Sequence, residues 1–217
     1  MSATNHQLTA MDLADAPEAW ASAGFAVVHD TVLLGSTLLR LTGHGTDPDG
    51  GTGVLGWALD GVDGPVDSLQ TCAPAPAWAS DSPPHPNGIE RIDHVVVRTG
   101  DQDRTLAAFQ RAGLEVRRGR STSSYGSPMR QSFLWAGDVI IELVGPDDGA
   151  ASTDEPPSFF GLALVAADLD TTAAHLGELL STPKDAVQQG RRIAGLRGAT
   201  VGISVPIAVM SPHVRGG

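Results

Sequence analysis

Residues 89–99 read IERIDHVVVRT, and residues 101–113 read DQDRTLAAFQRAG. The first stretch is rich in β-branched residues and predicts a strand. The second has apolar residues at helical spacing after an aspartate that can cap a helix, and it ends at a glycine typical of helix ends. Three shorter strands are predicted to follow, at residues 114–118, 130–135 and 138–144. This segment therefore predicts the order β-α-β-β-β.

The same order recurs on both sides of this segment. DLDTTAAHL at residues 168–176 aligns with DQDRTLAAF at 101–109, and AWASAGFAV at residues 19–27 aligns with AFQRAGLEV at 108–116. In the third segment the predicted elements are a strand at 159–166, a helix from Asp168 to Leu180, and strands near 186–188, 191–197 and 205–210. In the first segment they are strands at 7–13, 26–29, 31–34 and 36–42 and a helix at 16–23. Internal repeats favour duplication of one unit, although three unrelated αβ segments are the alternative.

Proline-rich stretches divide the chain. Residues 67–88 contain five of the fifteen prolines between positions 74 and 86, which disfavours both helix and central strand, and predicts a linker. Residues 145–158 form a second break of similar character. The predicted organisation is an N-terminal module at residues 1–66, the linker, and a two-module domain at 89–217 with modules at 89–146 and 158–212.

The formal charge of −11 is distributed unevenly. Residues 1–90 contain one basic side chain, Arg40, and eleven acidic ones, whereas residues 91–217 contain thirteen basic and fourteen acidic side chains. An acidic segment repels polyanions, and the remainder has no basic excess. Nucleic acid and anionic membranes are therefore not expected as partners, and a small molecule or another protein is.

Cysteine content and the N-terminal residues indicate the compartment. Cys72 is the only cysteine, so neither an internal disulfide nor a cysteine-rich zinc site is expected. The first twenty residues lack the basic and apolar regions of a secretory signal, and no stretch approaches the roughly 20 apolar residues of a membrane span. We therefore expect a cytoplasmic protein.

Four motifs support a family resemblance. Tandem βαβββ units that open with IDHVVV (residues 92–97) and close with IIELVGP (140–146) resemble the vicinal oxygen chelate superfamily of glyoxalases, bleomycin-resistance proteins and extradiol dioxygenases. HPNG followed by DHVVV (85–97), RQxF (130–133) and DAVQxGRRI (185–193) are similar to its glyoxalase-like subgroup. The resemblance implies an α+β fold in which two modules join into one curved, cup-like mixed sheet with helices outside. Residues 1–66 would form a degenerate module, beside this domain or against a second subunit of a homodimer.

The resemblance also implies a metal site inside the cup. Metal-dependent members bind a divalent ion such as Fe, Mn, Ni or Zn through a His or Gln on the first strand and a Glu on the last strand of each module. His94 and Glu142 match these positions in the middle module. The matching positions are Gly161 and Ala208 in the third module, and Asn5 and Arg40 in the first. Two ligands are fewer than transition-metal sites commonly use, so the sequence predicts an incomplete, degenerate site.

His94 and Glu142 have a second interpretation. An ionisable pair in a concavity can act as a general base and its orienting partner, with no metal involved. A histidine in such a strand is also often structural, with its ring nitrogens bonded to neighbouring groups. The sequence leaves these interpretations open.

Five more side chains are candidates for ligand binding: Arg130, Gln131, Trp135, Arg191 and Arg192. Strand alternation places Gln131 and Trp135 on one face and Arg130 on the other, where a solvated charge is the simpler explanation. One of the two adjacent arginines faces each side of its strand. An inward guanidinium suits a carboxylate or enolate ligand, or forms a salt bridge with Glu142 as the remnant of a metal site.

The leading functional interpretation is a glyoxalase-like protein that binds a small molecule, as a lyase, isomerase or dioxygenase on an oxygen-rich substrate. The alternative is a non-catalytic protein that sequesters its ligand, as bleomycin-resistance-like members do. A third interpretation is a structural protein whose acidic N-terminal segment docks on a basic partner.

Overall fold

A computed structural model describes residues 6–43, 53–76, 82–123, 128–147 and 152–213. The elements in chain order are β1 (Leu8–Leu13), α1 (Pro17–Ser22), β2 (Thr31–Leu34), β3 (Thr37–Leu41), β4 (Val54–Leu59), β5 (Ile89–Arg98), α2 (Gln102–Arg111), β6 (Val116–Thr122), β7 (Met129–Ala136), β8 (Val139–Pro146), β9 (Ser158–Ala166), α3 (Leu169–Leu176), β10 (Lys184–Asp185), β11 (Arg192–Leu196) and β12 (Ile207–Met210). Short 3₁₀ turns follow α3 and β11.

Two βαβββ modules build one eight-stranded sheet. In the middle module β5 runs parallel to β8, and β7 and β6 follow as antiparallel neighbours. In the third module β9 runs parallel to β12, and β11 and β10 follow in the same way. The two opening strands, β5 and β9, pair antiparallel and join the halves into the order β10-β11-β12-β9-β5-β8-β7-β6. The predicted α+β fold with tandem modules is confirmed.

Aspartate caps begin both long helices at matching positions of the repeat. The side chain of Asp101 accepts a hydrogen bond from the Arg104 amide at 2.9 Å, and that of Asp168 accepts one from the Thr171 amide at 2.7 Å. These bonds satisfy amides that lack a partner within the helix. Across the described ranges, no helix has the length and apolar character needed to cross a membrane.

Three predicted boundaries are corrected. Residues 26–29 do not form a full strand, because His29 and Asp30 adopt positive φ angles in a tight turn, and only a single bridge joins Val28 to Thr31. The helix after Asp168 ends at Leu176, where Gly177 has a φ of 55°. The strand expected near residues 186–188 is β10, which lies slightly earlier in the chain.

The N-terminal segment forms its own four-stranded sheet in the order β2-β3-β1-β4. β1 runs parallel to β3, and β4 lies antiparallel on the other side of β1, as β9 does beside β5. This topology has the first, third and fourth strands of a module and the opening strand of another. That the segment is a degenerate copy with the boundaries given above stays a prediction.

One continuous apolar core joins the two sheets. The indole of Trp57 on β4 contacts Phe109 of α2 and Phe159 of β9, with ring centroids 6.0 and 5.0 Å apart. All three side chains are buried. Removing this aromatic area from water stabilises the association of the N-terminal sheet with both later modules.

The HPNG motif ties the N-terminal segment to the two-module domain. Asn87 Nδ2 donates to the Ala23 carbonyl at 2.9 Å, and Asn87 Oδ1 accepts from the Ile89 amide at 3.0 Å. The Asn87 carbonyl accepts from Thr172 Oγ1 of α3 at 2.8 Å. The buried Asn87 therefore forms hydrogen bonds with the C-terminal end of α1, with β5 and with α3.

His85 makes the motif sensitive to pH. Its Nδ1 accepts from the Ala26 amide at 3.0 Å, so the proton of the neutral ring lies on Nε2, which donates to the Leu33 carbonyl at 2.9 Å. Burial lowers the pKa of His85. A second proton would have to bind Nδ1 and displace the Ala26 amide.

We expect the contribution of His85 to stability to be complete above pH ~6.5, the ordinary histidine pKa. Below it, the unfolded chain binds the proton more readily than the folded one, so stability falls as the pH is lowered. Urea unfolding between pH 7.5 and 5.5 should therefore show a steeper loss of unfolding free energy for the wild type than for His85→Gln. Equal slopes would contradict this assignment.

Candidate functional site

A cavity of about 570 Å³ lies on one face of the eight-stranded sheet and is lined by both modules. This volume is within the range of small-molecule sites. The middle module supplies most of its charged and aromatic groups, chiefly Asp93, His94, Arg118, Arg120, Gln131, Phe133, Trp135 and Glu142. The third module supplies Gln188, Ile193 and Met210, among others. His213, close after β12, also lines it.

A β-bulge in β5 places two consecutive side chains in this cavity. Ile92 pairs with Leu164 of β9 and His94 pairs with Ala163, which leaves Asp93 as the extra residue. In a regular strand Asp93 and His94 would point to opposite faces, but a bulge changes the direction of a side chain. Asp93 Oδ2 accordingly lies 2.9 Å from Nδ1 of His94.

His94 begins a chain of polar contacts across the sheet. Its Nε2 lies 3.3 Å from Glu142 Oε2, and Glu142 Oε1 accepts a 2.5 Å hydrogen bond from Gln131 Nε2. Gln131 Oε1 in turn accepts from Arg120 Nε at 2.5 Å. The predicted pair of His94 and Glu142 is therefore in direct contact, and Gln131 couples it to a guanidinium.

Asp93 also forms an ion pair with Arg191. Arg191 Nη2 lies 2.9 Å from Asp93 Oδ1, while its other nitrogens donate to the Ser211 carbonyl and to Gln188 Oε1, both at 2.9 Å. Burial would raise the pKa of Asp93, but the hydrogen bond from His94 and the bond and charge of Arg191 outweigh it and hold the pKa well below the ordinary range. Asp93 is therefore ionised at neutral pH.

The other predicted ligand-binding residues have different positions. Gln131 lies in the cavity, and Trp135 lies at its rim with 47% of its surface exposed. Arg130 is on the helix side of the sheet, where it pairs with Asp103 at 2.5 Å, and the exposed Arg192 pairs with Asp170 at 2.8 Å. The structure does not bring Arg130 or Arg192 into the cavity, because alternation directs both away from it. Arg191 points inward but pairs with Asp93 rather than with Glu142.

The donor set does not fit a metal ion of the kind that the resemblance implies. Among the residues described, no three His, Cys, Asp or Glu side chains converge as a metal site requires. In the third module Ala208 of β12 pairs with Ala163 of β9, and in the middle module Glu142 of β8 pairs with Val96 of β5. These equivalent pairings agree with the alignment of Ala208 on Glu142.

The matching position for His94 in the third module is closed to any side chain. A Cβ atom on Gly161 would lie 2.6 Å from the Pro206 carbonyl oxygen, which accepts the Leu162 amide. This strand therefore could not carry a ligand there without moving the backbone.

A direct measurement follows from this geometry. Purified protein dialysed against a chelator and then against Zn²⁺, Mn²⁺, Ni²⁺ or Fe²⁺ should retain less than one equivalent of metal, and His94→Ala should retain the same amount. We expect this because two ligands hold such ions weakly. A full equivalent in the wild type that the substitution removes would restore the metal-dependent interpretation.

The equivalent face of the N-terminal sheet is covered by its own chain. Arg40 forms a 2.5 Å ion pair with Asp12 and donates to the Ala73 carbonyl at 2.6 Å. The β1–β3 register places Ala10, not Asn5, at the position that corresponds to His94, and Asn5 lies outside the described residues. Burial and, secondarily, the charge of Asp12 raise the pKa of Cys72 in this region to about 11.

Sequence reasoning missed several residues of the cavity. Asp93 was part of a quoted motif but received no role, and Arg117, Arg118 and Arg120 of β6 were not singled out. Phe133 and Gln188 also line the cavity. Both lie in motifs of the family resemblance, RQxF and DAVQxGRRI, and this was an available signal.

Comparisons with known proteins give limited structural likeness. No family model matches the chain, and no curated protein does. Methylmalonyl-CoA epimerase from Mycobacterium tuberculosis is similar at 19% identity over 58% of this chain and 91% of that chain, with a TM-score of 0.45. A variant of the Streptomyces coelicolor epimerase in complex with 2-nitronate-propionyl-CoA is similar at 21% identity over 58% and 99%, with a TM-score of 0.44. A hypothetical protein from Bacillus halodurans is similar at 16% identity over 58% and 97%, with a TM-score of 0.45.

The architecture follows from the chain's own strand order. Each later module pairs its first and last strands in parallel, and the two first strands join antiparallel in one sheet. The helices begin directly after the opening strands, and the cavity lies where both modules meet. The glyoxalase-like subgroup stays a prediction, whereas the two later modules together have the vicinal oxygen chelate fold that the sequence motifs implied.

Proposed function

We propose that the cavity binds a small molecule and that His94 and Glu142 move a proton at one of its carbon atoms, as in an isomerase. The observation that carries this proposal is the 3.3 Å contact between His94 Nε2 and Glu142 Oε2, made while Asp93 holds His94 Nδ1. A carbon next to a carbonyl group is the chemical class that fits, because its C–H bond is acidic enough for side-chain bases.

The number of protons in the pair supports this role. Ionised Asp93 accepts a hydrogen bond from Nδ1, so Nδ1 carries a proton. Nε2 then faces Glu142, and a nitrogen lone pair against an ionised carboxylate would be repulsive. One proton between Nε2 and Oε2 removes the repulsion, as imidazolium with carboxylate or as imidazole with carboxylic acid. In either form one group can accept a proton and the other can donate one.

The reaction step balances without a further reactant. The accepting group takes the proton from carbon, the C–H bond breaks, and its electron pair remains on the substrate as an enolate. The donating group then returns a proton, either to the other face of that carbon or to a neighbouring atom. Asp93 stabilises the imidazolium form of His94, as a buried carboxylate does in other acid–base pairs.

Ligand sequestration without turnover is the second candidate. Its supporting observation is the apolar rim of the cavity, where Trp135 and Val187 are 47% and 79% exposed. Exposed apolar groups around a concavity are typical of a binding surface.

A screen in D₂O tests both candidates. The wild-type protein is incubated with methylmalonyl-CoA, 2-oxo acids, 2-hydroxy ketones and aryl ketones, and proton NMR follows the loss of each C–H signal while thermal shift follows binding. We expect accelerated exchange for at least one carbon acid. A compound that raises the melting temperature without exchanging would support sequestration, and neither effect with any compound would contradict both.

A further inference from the structure

The edge strand β6 presents three arginines to the cavity, Arg117, Arg118 and Arg120. They stand out in a chain whose formal charge is −11. The opposite wall carries Asp93 and Glu142, and Arg191 already neutralises Asp93. The proton that Glu142 shares with His94 balances the remaining charge, so the cavity has a cationic end at β6 and a charge-balanced end at β5 and β8.

A second β-bulge explains why adjacent arginines share this wall. Val116 pairs with Leu134 and Arg118 pairs with Phe133, so Arg117 is an extra residue of β6. A regular strand would direct Arg117 and Arg118 to opposite faces, and the bulge removes that constraint.

Arg120 is held in place by the sheet. Its Nε donates to Gln131, and its guanidinium carbon lies 5.7 Å from the centroid of the Phe133 ring. Cation–π contact and the hydrogen bond together orient the fork before any ligand arrives. Such a fork matches the oxygen atoms of an oxyanion.

The strand register sets the distance between the two ends. Arg118, Phe133 and Glu142 are direct neighbours across β6, β7 and β8. Two strand spacings separate the backbones of Arg118 and Glu142 by roughly 10 Å. Phe133 lies between them, so the side chains across the three strands are, in order, a cation, an aromatic ring and a carboxylate.

We propose that the β6 arginines bind an oxyanion at the far end of an elongated ligand whose neutral, reacting carbon lies at His94 and Glu142. This deepens the proposed function and rests on it for the reacting end only. Arg191 is already paired with Asp93, and His94 with Glu142, so this end offers no free cation to bind an anion and the ligand has one orientation. The substrate class is a carbon acid with a carboxylate or phosphate group about 10 Å away and an apolar middle section, as the row of side chains requires.

Two fluorescent dyes test the oxyanion site. 8-Anilinonaphthalene-1-sulfonate carries an oxyanion, whereas N-phenyl-1-naphthylamine has the same aromatic groups without it. In Arg118→Gln/Arg120→Gln we expect the Kd of the sulfonate to rise about 10-fold or more, because hydrogen bonds between oppositely charged groups are stronger than those to a neutral amide. The neutral dye should change less than about twofold. Added NaCl should weaken sulfonate binding to the wild type more than to the variant.

Controls separate charge from misfolding and carboxylate from phosphate. Arg111→Gln, at the exposed end of α2 and away from this cavity, should bind both dyes as the wild type does. The single variant Arg118→Gln, at an exposed position, serves if the double variant melts early. Octanoate and octyl phosphate should displace the sulfonate and octan-1-ol should not, and whichever anion displaces it at lower concentration identifies the preferred group.

Unchanged sulfonate affinity in a folded arginine variant would overturn the oxyanion site, as would equal weakening of both dyes. His94→Gln should retain sulfonate binding, since it lies at the other end of the cavity. If the arginine variants lose the sulfonate but no carbon acid exchanges in D₂O, the oxyanion site stands and the proton-transfer function fails. If a carbon acid exchanges in D₂O at the same rate in the wild type and in the arginine variants, the proton-transfer function stands and the oxyanion site fails.

Discussion

His94→Gln and Glu142→Gln should each slow carbon-acid exchange by about 100- to 10,000-fold, the usual contribution of a positioned acid or base. Glutamine is similar in size to both side chains and can still form hydrogen bonds. However, it cannot take up or release the transferred proton. The rate of C–H signal loss in D₂O, measured with the compound that exchanges fastest on the wild type, gives the effect directly.

The matched control is Arg130→Gln. Arg130 lies on the neighbouring strand to Glu142, beside Gln131, but its side chain points to the helix side and pairs with Asp103. We expect its exchange rate to stay within about twofold of the wild type, because surface ion pairs contribute little. Equal losses in the control and in His94→Gln, or no loss in His94→Gln, would remove the acid–base pair from the proposal.

The repeat in the sequence predicted most of the fold. DQDRTLAAF and DLDTTAAHL each opened with an aspartate that caps a helix, and the pairing of β5 with β8 and of β9 with β12 follows from repeating one module. The pattern was clear because capping and alternation are local properties. Residues 26–29 failed as a strand because the positive φ angles of His29 and Asp30 depend on the turn and not on the apolar pattern.

The candidate site was predicted only in part, because bulges are not visible in an alternating pattern. Period-2 counting correctly placed Gln131 and Trp135 on one face. It gave Asp93 the opposite face from His94, and it would separate Arg117 from Arg118 in the same way. Each bulge adds an ionisable group at one end of the cavity. These additions give the site one end with three arginines and one end with a charge-balanced cluster. Where the bulges occur is seen only in the pairing of the strands.

The alignment of the repeats found the missing metal ligands but not the reason for their absence. Gly161 was recognised as a residue without a donor, and the register of β9 and β12 agrees with the alignment of Ala208 on Glu142. Only the structure shows that the Pro206 carbonyl occupies the space of a Cβ atom. The third module instead contributes Arg191, which pairs with Asp93, the partner of His94.

Asp93→Asn should lower the free energy of unfolding at pH 7 by about 3–5 kcal/mol, the effect of leaving a buried charge without its partner. The side chain of Arg191 is 1% exposed, so water cannot replace the lost carboxylate. Chemical denaturation gives the value. In the control Asp170→Asn, the neighbouring Arg192 loses a partner that is 72% exposed, and we expect a change within about 1 kcal/mol.

Acid titration and a double variant make the Asp93 prediction specific. Because its pKa is held well below the ordinary ~3.9, the unfolded chain binds this proton first as the pH falls below about 4. The stabilisation by Asp93 is thus complete above that pH and is lost below it, so the wild type and Asp93→Asn should converge in stability on acidification. Asp93→Asn/Arg191→Met should recover much of the loss, since an apolar replacement for a buried ion pair is often neutral. A pH-independent difference between the wild type and Asp93→Asn would contradict a stabilising role for the charge of Asp93. No recovery in the double variant would mean that the carboxylate stabilises the fold through its hydrogen bond to His94 and not through Arg191.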